Sequence, residues 1–453
     1  MVSNRMLFKN QKEIIENGRN GILKKLRGDA LEILASALDS VDPYKIVKTT
    51  LQGKRILFYG QKIDTADFEN VYLVGFGKAS VRMAQAVCDL IEIKKGIVIT
   101  NDANSVVENK KIQTITGGHP IPNKMSVNGT EKIIQIVENC KESDLLIVVI
   151  SGGGSALLCK PRTGLKDTQK TTDLLLRSGA DINEINTVRK HLSFVKGGQL
   201  IKNIKCKVVS LIISDVVGNP LEFIASGPTY PDSTTYKDAK NILKKYNLSD
   251  EIPKSVIEII ERGAEGNTSE TLKTNNLIFE KVSNFVIANN EIACNTAKIK
   301  AKSLGYDSMI LTTLITGEAK DTGAYLASKA KEFTKPGKKN YAFISGGETT
   351  VTIRGNGQGG RNQEMILAGI DRLHGSNLVF ASFATDGIDG NSDAAGAIAD
   401  CFTKEKAIVK HLNPDTFLKN NDSYDFFQKL DDLLITGPTG TNVMDIQIIL
   451  KAE

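Results

Sequence analysis

Apolar positions along the chain alternate between short β-branched runs and longer patterns at helical spacing. Val71-Tyr72-Leu73-Val74 runs into Gly75-Phe76-Gly77 and then a helix-length stretch, Ala79 to Ile91. Gly96 to Thr100 reads as the next strand, Leu145 to Ile150 leads into Ser151-Gly152-Gly153-Gly154-Ser155, and Val208 to Ile213 leads into Ser214-Asp215. This repetition of strand, tight turn and helix predicts an α/β fold built on a parallel, doubly wound sheet. From Ser249 to Asn284 the pattern turns polar, which places a domain boundary there, between a first domain over 1–250 and a second over 275–453. The rhythm then restarts with strands expected at Phe285–Ala288, Met309–Leu314 and Tyr341–Ile344, helices at Glu291–Leu304 and Glu318–Phe333, and closing strands at Leu433–Ile435 and Val443–Leu450. An Ala-rich helix is expected after Ser392-Asp393.

The 453 residues are 24% charged and 41% hydrophobic with a formal net charge of +6, an ordinary globular composition. The basic residues are dispersed, so neither nucleic acid nor a membrane surface is an expected partner. The longest apolar run, Leu145–Ile150, is far below the roughly 18 residues of a membrane span. Met1–Asn20 has no apolar core of a secretory signal. Six cysteines without a C-x-x-C pair read as buried free thiols in a reducing compartment, so the expected location is the cytoplasm.

The candidate chemistry sits at the expected strand ends, where open parallel sheets bind ligands. Gly75 and Gly77 open a helix whose free N–H groups favour an anion, and Lys78 beside them favours one further. The turn resembles a dinucleotide fingerprint, with Ser80 in place of its third glycine. Ser151, Gly152, Gly153, Gly154 and Ser155 follow the most apolar strand and suit a phosphate cradle of backbone N–H groups, being neither a Walker A loop nor a nucleophile elbow. Asn186 to Gly198 reads as a helix capped by Asn186 or Thr187. Arg189 and Lys196, seven residues apart, then share a face, suited to an anionic ligand or simply solvated. His191 alone reads as structural.

Asp215 at a strand end suits a base, a metal ligand or a helix cap. In the second domain Ser345-Gly346-Gly347-Glu348 ends a strand, and Gly359-Gly360-Arg361-Asn362 starts a helix, where a cation calls for an anionic partner. Asp386 suits a strand-end carboxylate holding magnesium near phosphates; a calcium loop over Asp389–Asp400 fails on Ala394 at its glycine position. Glycine loops, cations and strand-end aspartates in both domains form an inventory for phosphoryl transfer.

The constellation resembles the class II glycerate kinases of the MOFRL family. The matching stretches are Gly75-Phe76-Gly77-Lys78-Ala79, Gly118-His119-Pro120, Ser151 to Leu158, Asn186 to Leu192, Ser214-Asp215-Val216, Ile224 to Thr229, Ser345 to Thr349, Gly359 to Glu364, Ala384 to Gly390 and Thr436 to Val443. The resemblance implies a Rossmann-like first domain and a second, MOFRL-type α/β domain with the active site in the cleft between them. It also implies ATP- and divalent-metal-dependent phosphorylation of the 2-hydroxyl of D-glycerate. Lys78, Asp215 and Arg361 would be catalytic. Gly75, Gly77, Ser151–Ser155, Gly347 and Glu348 would bind ATP. Arg189, Lys196 and Asn362 would bind substrate, and Asp386 would bind Mg2+. A homodimer fits this picture. The chain departs from the family pattern at Asn219 and Asn123, where an Asp is usual. Two rival readings are an NAD(P)H-dependent hydroxypyruvate reductase, using Gly75-x-Gly77 and Asp102, and a non-catalytic anion sensor, supported by Asn219.

Overall fold

The strand Asp144–Ile150 is buried at all seven positions, the pattern of a strand covered by helices on both faces. In the computed structural model, which describes residues 7–58, 60–335 and 340–452, it lies inside a six-stranded sheet. The spatial order is Ile112–Thr116, Lys95–Thr100, Asn70–Phe76, Asp144–Ile150, Lys207–Ile213, Val282–Ala288. The first five strands are parallel. Numbered along the chain the order is third, second, first, fourth, fifth, sixth, that of a doubly wound Rossmann sheet. The order reverses between Asn70–Phe76 and Asp144–Ile150, which pair from Asn70↔Asp144 to Phe76↔Ile150. The turns after Phe76 and after Ile150 therefore leave the sheet side by side.

This sheet belongs to a unit spanning Pro43–Ile287, which also holds a three-stranded antiparallel sheet and a helical layer. That layer, Leu165–Arg177, Ile182–His191, Tyr236–Lys245 and Lys254–Ala264, packs around Leu175, Val188, Tyr236, Leu243 and Ile260.

The second unit joins the two ends of the chain, up to Asp42 and from Ala288 onward. The linear division at 249–284 therefore gives way to a discontinuous one, and the residues up to Asp42 leave the first domain. Helix Gly21–Asp39 buries Leu23, Leu26, Ile33 and Leu34 and packs on strands Asn377–Ala384 and Asp445–Ala452. Its Arg27 is fully buried on Asp400 at 2.7 Å and Asp432 at 2.5 Å. An amphipathic helix does not say which sheet it will cover. Likewise Val282–Ala288, expected to open the second domain, is the edge strand of the first sheet.

The sheet of this second unit is mixed, in the order Asp307–Ile315, Asn340–Gly347, Asp445–Ala452, Asn377–Ala384, Gly396–Asp400, Leu433–Leu434. Only its first pair is parallel. Gly396–Asp400 is a strand where a helix was expected. Gly396, at φ +154°, lets the backbone approach Ser382 so closely that a Cβ would lie 1.9 Å from its carbonyl oxygen. Of the segment Met1–Asn20, residues 1–6 lie outside the described residues. Among the described residues no helix is long and apolar enough to cross a membrane. The six cysteines are free thiols, all buried but Cys88.

Candidate active site

In the unit Pro43–Ile287 the two turns at the point of strand reversal are bonded to each other. Lys78 N donates to Gly152 O at 2.9 Å, Ala79 N to Ser151 Oγ at 3.0 Å and Ser151 N to Phe76 O at 3.2 Å. Gly77 adopts φ +127°, and a Cβ there would lie 2.2 Å from Ser151 Oγ, so only glycine allows this approach. Gly75 is a packing glycine, since a Cβ would meet Val149 Cγ2 at 2.5 Å. Ser80 Oγ donates to Gly77 O and Ile99 O and closes the turn.

Three side chains surround Gly152 and Gly153. The Asp215 carboxylate lies against Gly152, where a Cβ would come within 2.2 Å of Oδ2, and the His119 ring covers Gly153, where a Cβ would lie 3.1 Å from Nε2. Lys78 Cγ would be 3.4 Å from that same Cβ. Lys78 is exposed and makes no ion pair among the described residues. Burial, and then the charge of Lys78, hold the His119 imidazole below its ordinary pKa, so it is neutral at pH 7.

Arg189 and Lys196 converge on one atom, though not for the reason the sequence suggested. The helix is Ile182–His191, capped by Asp181 and Glu184, and Lys196 lies beyond its end. Lys196 Nζ nevertheless donates to Ser155 O at 2.6 Å, and Arg189 Nη2 reaches the same carbonyl at 3.4 Å. Neither cation has a carboxylate partner among the described residues. Lys196 is 4% exposed, and burial, reinforced by Arg189, pushes its pKa down to about 7. Ser155 Oγ lies 2.8 Å from Ser226 Oγ. Ser226 belongs to the left-handed turn Ala225-Ser226-Gly227, with φ values of 50°, 62° and 61°. Two non-glycine residues held there mark a local strain that the surroundings must impose. His191 is structural, as read: its ring faces Thr187 O at 2.8 Å and Glu270 at 3.2 Å.

The two departures from the family pattern differ in kind. Asn123 caps helix Lys124–Asn139 in a box with Ser126. Asn219 sits at φ 55°, and its buried Oδ1 has no hydrogen-bond partner among the described residues.

In the second unit Arg361 is not an unpaired cation waiting at a helix N-terminus. Its Nε and Nη2 clasp Asp445 at 2.5 and 2.9 Å, and its Nη1 meets Glu348 at 2.9 Å. Burial alone would weaken the guanidinium charge, but the bonds and charge of Asp445 outweigh it and hold the pKa above its ordinary value. Asp389 accepts from Asn362 N at 3.1 Å and Gln363 N at 2.9 Å and so caps the same helix from a distant loop. Burial pushes the Asp389 carboxyl up to about 6. Gly347, at φ +139°, packs on Ile315 and sends the chain into Glu348. Asn362 is fully buried, donating to Asp389 and accepting from Ser382 Oγ at 2.5 Å, and so ties the start of this helix to the sheet. Asp386 is half-buried and accepts from Ile388 N at 3.2 Å.

Among the described residues no group of three or more His, Cys, Asp or Glu could hold a metal ion. The donor chemistry fits a Mg2+ that arrives on phosphates and takes a single carboxylate from the protein, not a protein cage. Neither His119 nor Asp445 was given a role on sequence, and Asp389 was weighed only as the start of a calcium loop that fails. His119 stood in a quoted motif without a role, and Asp445 was hidden inside an expected strand.

Comparison with known proteins adds the following. A family described as a domain of unknown function (DUF4147) matches residues 29–261, and the MOFRL family matches residues 341–445. A glycerate 2-kinase of Pyrococcus horikoshii is 42% identical over 95% of this chain and 98% of its own. A D-glycerate 2-kinase of Thermotoga maritima is 40% identical over 94% of this chain and 98% of its own. The crystal structure of a glycerate kinase from Thermotoga maritima is similar at a TM-score of 0.85, with 39% identity, over 95% of this chain and 100% of that one.

Proposed function

Because the chain belongs to the MOFRL-containing glycerate 2-kinase family, we propose that it transfers the terminal phosphoryl group of ATP to the 2-hydroxyl of D-glycerate, releasing 2-phosphoglycerate and ADP. The observation that carries this reading is the group of Lys78, His119 and Asp215 around Gly152-Gly153, at the point where the strand order reverses. The backbone N–H groups of Gly152 and Gly153 cradle phosphates, those of Gly77, Lys78 and Ala79 being spent on Ile99, Gly152 and Ser151, and Lys78 neutralises charge on the group in flight. Asp215 orients the attacking hydroxyl and accepts its proton. Arg189 and Lys196, cations without a carboxylate, hold the carboxylate of glycerate. Arg361 meets the remaining anionic charge, with Gly347 and Glu348 at the nucleotide. Mg2+, when bound, would neutralise phosphate charge, and Asp386 would be its protein ligand.

Two details weigh against the reductase reading. The Asp102 carboxylate is engaged by Asn104 N at 2.9 Å and by Ser105 Oγ at 2.5 Å, in its own turn. Ser80 fills the place of the third fingerprint glycine.

The test is ADP release coupled to NADH oxidation, with D-glycerate, ATP and Mg2+, and 31P NMR of the product. A doublet from phosphate on C2 and at least a hundredfold loss of kcat/KM in Lys78→Ala are expected. Phosphate on C3, or reduction of hydroxypyruvate by NADH with no ADP formed, would overturn the assignment.

A further inference from the structure

Asp445 begins the strand Asp445–Ala452, which runs antiparallel between Asn340–Gly347 and Asn377–Ala384. It pairs in register with Gly347 on one side and Ala384 on the other. Because the strand is reversed, its first residue lies at the sheet end where its neighbours finish. Asp445 thus shares that end with Glu348 and Asp386.

The residue is held from two directions. Asn290 Nδ2 donates to Val443 O at 2.9 Å and to Asp445 O at 2.8 Å, fixing the backbone on either side of Met444. Asn290 fits only because position 346 is glycine, where a Cβ would lie 1.9 Å from its Oδ1. The Asp445 side chain, 1% exposed, grips Arg361 through both oxygens. Arg361 is also fixed from below, since Asp389 binds the two backbone N–H groups that follow it.

The asymmetry of this pair is informative. The acid is buried and the base keeps 29% of its side chain exposed. A bridge built only for stability gains little from burying its acid, because desolvation consumes most of the Coulomb energy. A fork held on one edge by a rigid carboxylate suits the pre-orientation of the other edge. Glu348, 43% exposed and paired with Nη1, is the partner that an incoming anion can displace.

We infer that Asp445 is a positioning residue for phosphoryl transfer, locking the Arg361 guanidinium in one orientation so that its open N–H groups meet the anionic charge of the reactants. The inference rests on the kinase reading. Asp445→Asn keeps the volume but turns one acceptor into a donor facing Arg361. It should lower kcat thirtyfold or more while the KM for ATP changes less than threefold. In an Arg361→Lys background the same change should cost less than threefold, because the fork it aims is already gone. Should Asp445→Asn fold poorly, Asp445→Glu keeps charge and both oxygens but displaces the guanidinium, and kcat should again fall at least tenfold with the melting temperature within a few degrees. Full kcat in either folded variant, or equal losses in both backgrounds, would overturn the inference. A wild-type protein inert toward D-glycerate would instead sink the kinase reading. The positioning role, which rests on that reading, would fall with it.

Discussion

Lys196 offers the sharpest physical test of the anion site proposed in the unit Pro43–Ile287. Its ammonium is 4% exposed and rests on two carbonyls, Ser155 O at 2.6 Å and Leu158 O at 3.4 Å. The charged groups around it are Arg189, which repels its proton, and the Cys159 thiol, which opposes that weakly. Burial first and Arg189 second push its pKa down to about 7, whereas in the unfolded chain it is about 10.4. Between those values the unfolded state carries a proton that the native state lacks, so stability rises with pH at about 1.4 kcal/mol per unit. Below about pH 7 the full cost, roughly 5 kcal/mol, is present. Lys196→Met removes this term, leaves Leu158 O unbonded and leaves Ser155 O with Arg189 alone, a roughly pH-independent loss of about 1 kcal/mol for each bond. The difference in unfolding free energy between wild type and Lys196→Met should therefore change by about 2.7 kcal/mol between pH 7.5 and 9.5, in favour of wild type as pH rises. Urea denaturation followed by circular dichroism at three pH values measures it. Parallel stability curves for the two proteins would refute the argument. Saturating D-glycerate should flatten the wild-type slope, because a bound carboxylate restores the lysine proton.

Other consequences are simpler. Gly153→Ala places a methyl group 2.8 Å from the His119 ring at a backbone angle of φ +80°; kcat/KM for the kinase reaction should drop at least tenfold while the far-ultraviolet spectrum stays native. Ala225→Gly relieves a left-handed alanine, so thermal stability should hold or rise by up to about 1 kcal/mol, whereas turnover falls as the Ser226–Ser155 contact loosens. Asn123→Asp keeps the cap on Ser126 N, and titration of activity with Mg2+ should give the same curve as wild type; a shifted curve would assign that position to the metal.

The sequence carried the first sheet well, because parallel strands buried on both faces announce themselves as apolar runs ending in glycine turns. Gly75 to Lys78 and Ser151 to Ser155 were legible for that reason, and so was Asp215 at the end of its strand. What failed to show was anything set by distant pairing. Helix Gly21–Asp39 belongs to the C-terminal sheet through Arg27 and its partners Asp400 and Asp432, and no local pattern connects residues so far apart. The shared face inferred for Arg189 and Lys196 was right in outcome only, since the chain leaves the helix at His191 and the backbone brings Lys196 back to Ser155 O. Asp445 was invisible because a reversed strand puts its first residue, not its last, at the ligand end of a sheet.

The two units distribute charge differently, and that difference decides which should capture the polyanion. In the unit Pro43–Ile287, Lys78, Arg189 and Lys196 have no ion-pair partner among the described residues, His119 is neutral, and Asp215 is the acid beside Gly152. In the other unit Arg361 is already matched by Asp445 and Glu348, with Asp389 and Asp386 adding further negative charge nearby. A triphosphate approaching the first group meets, at Lys78, positive charge with no ion-pair partner among the described residues. At the second it must first displace Glu348. The affinity of ATP should therefore depend steeply on Lys78 and only weakly on Arg361, whose contribution appears in kcat. Equal losses of ATP affinity, measured by calorimetry for Lys78→Ala and Arg361→Ala in the absence of glycerate, would show that the protein does not divide capture and catalysis in this way.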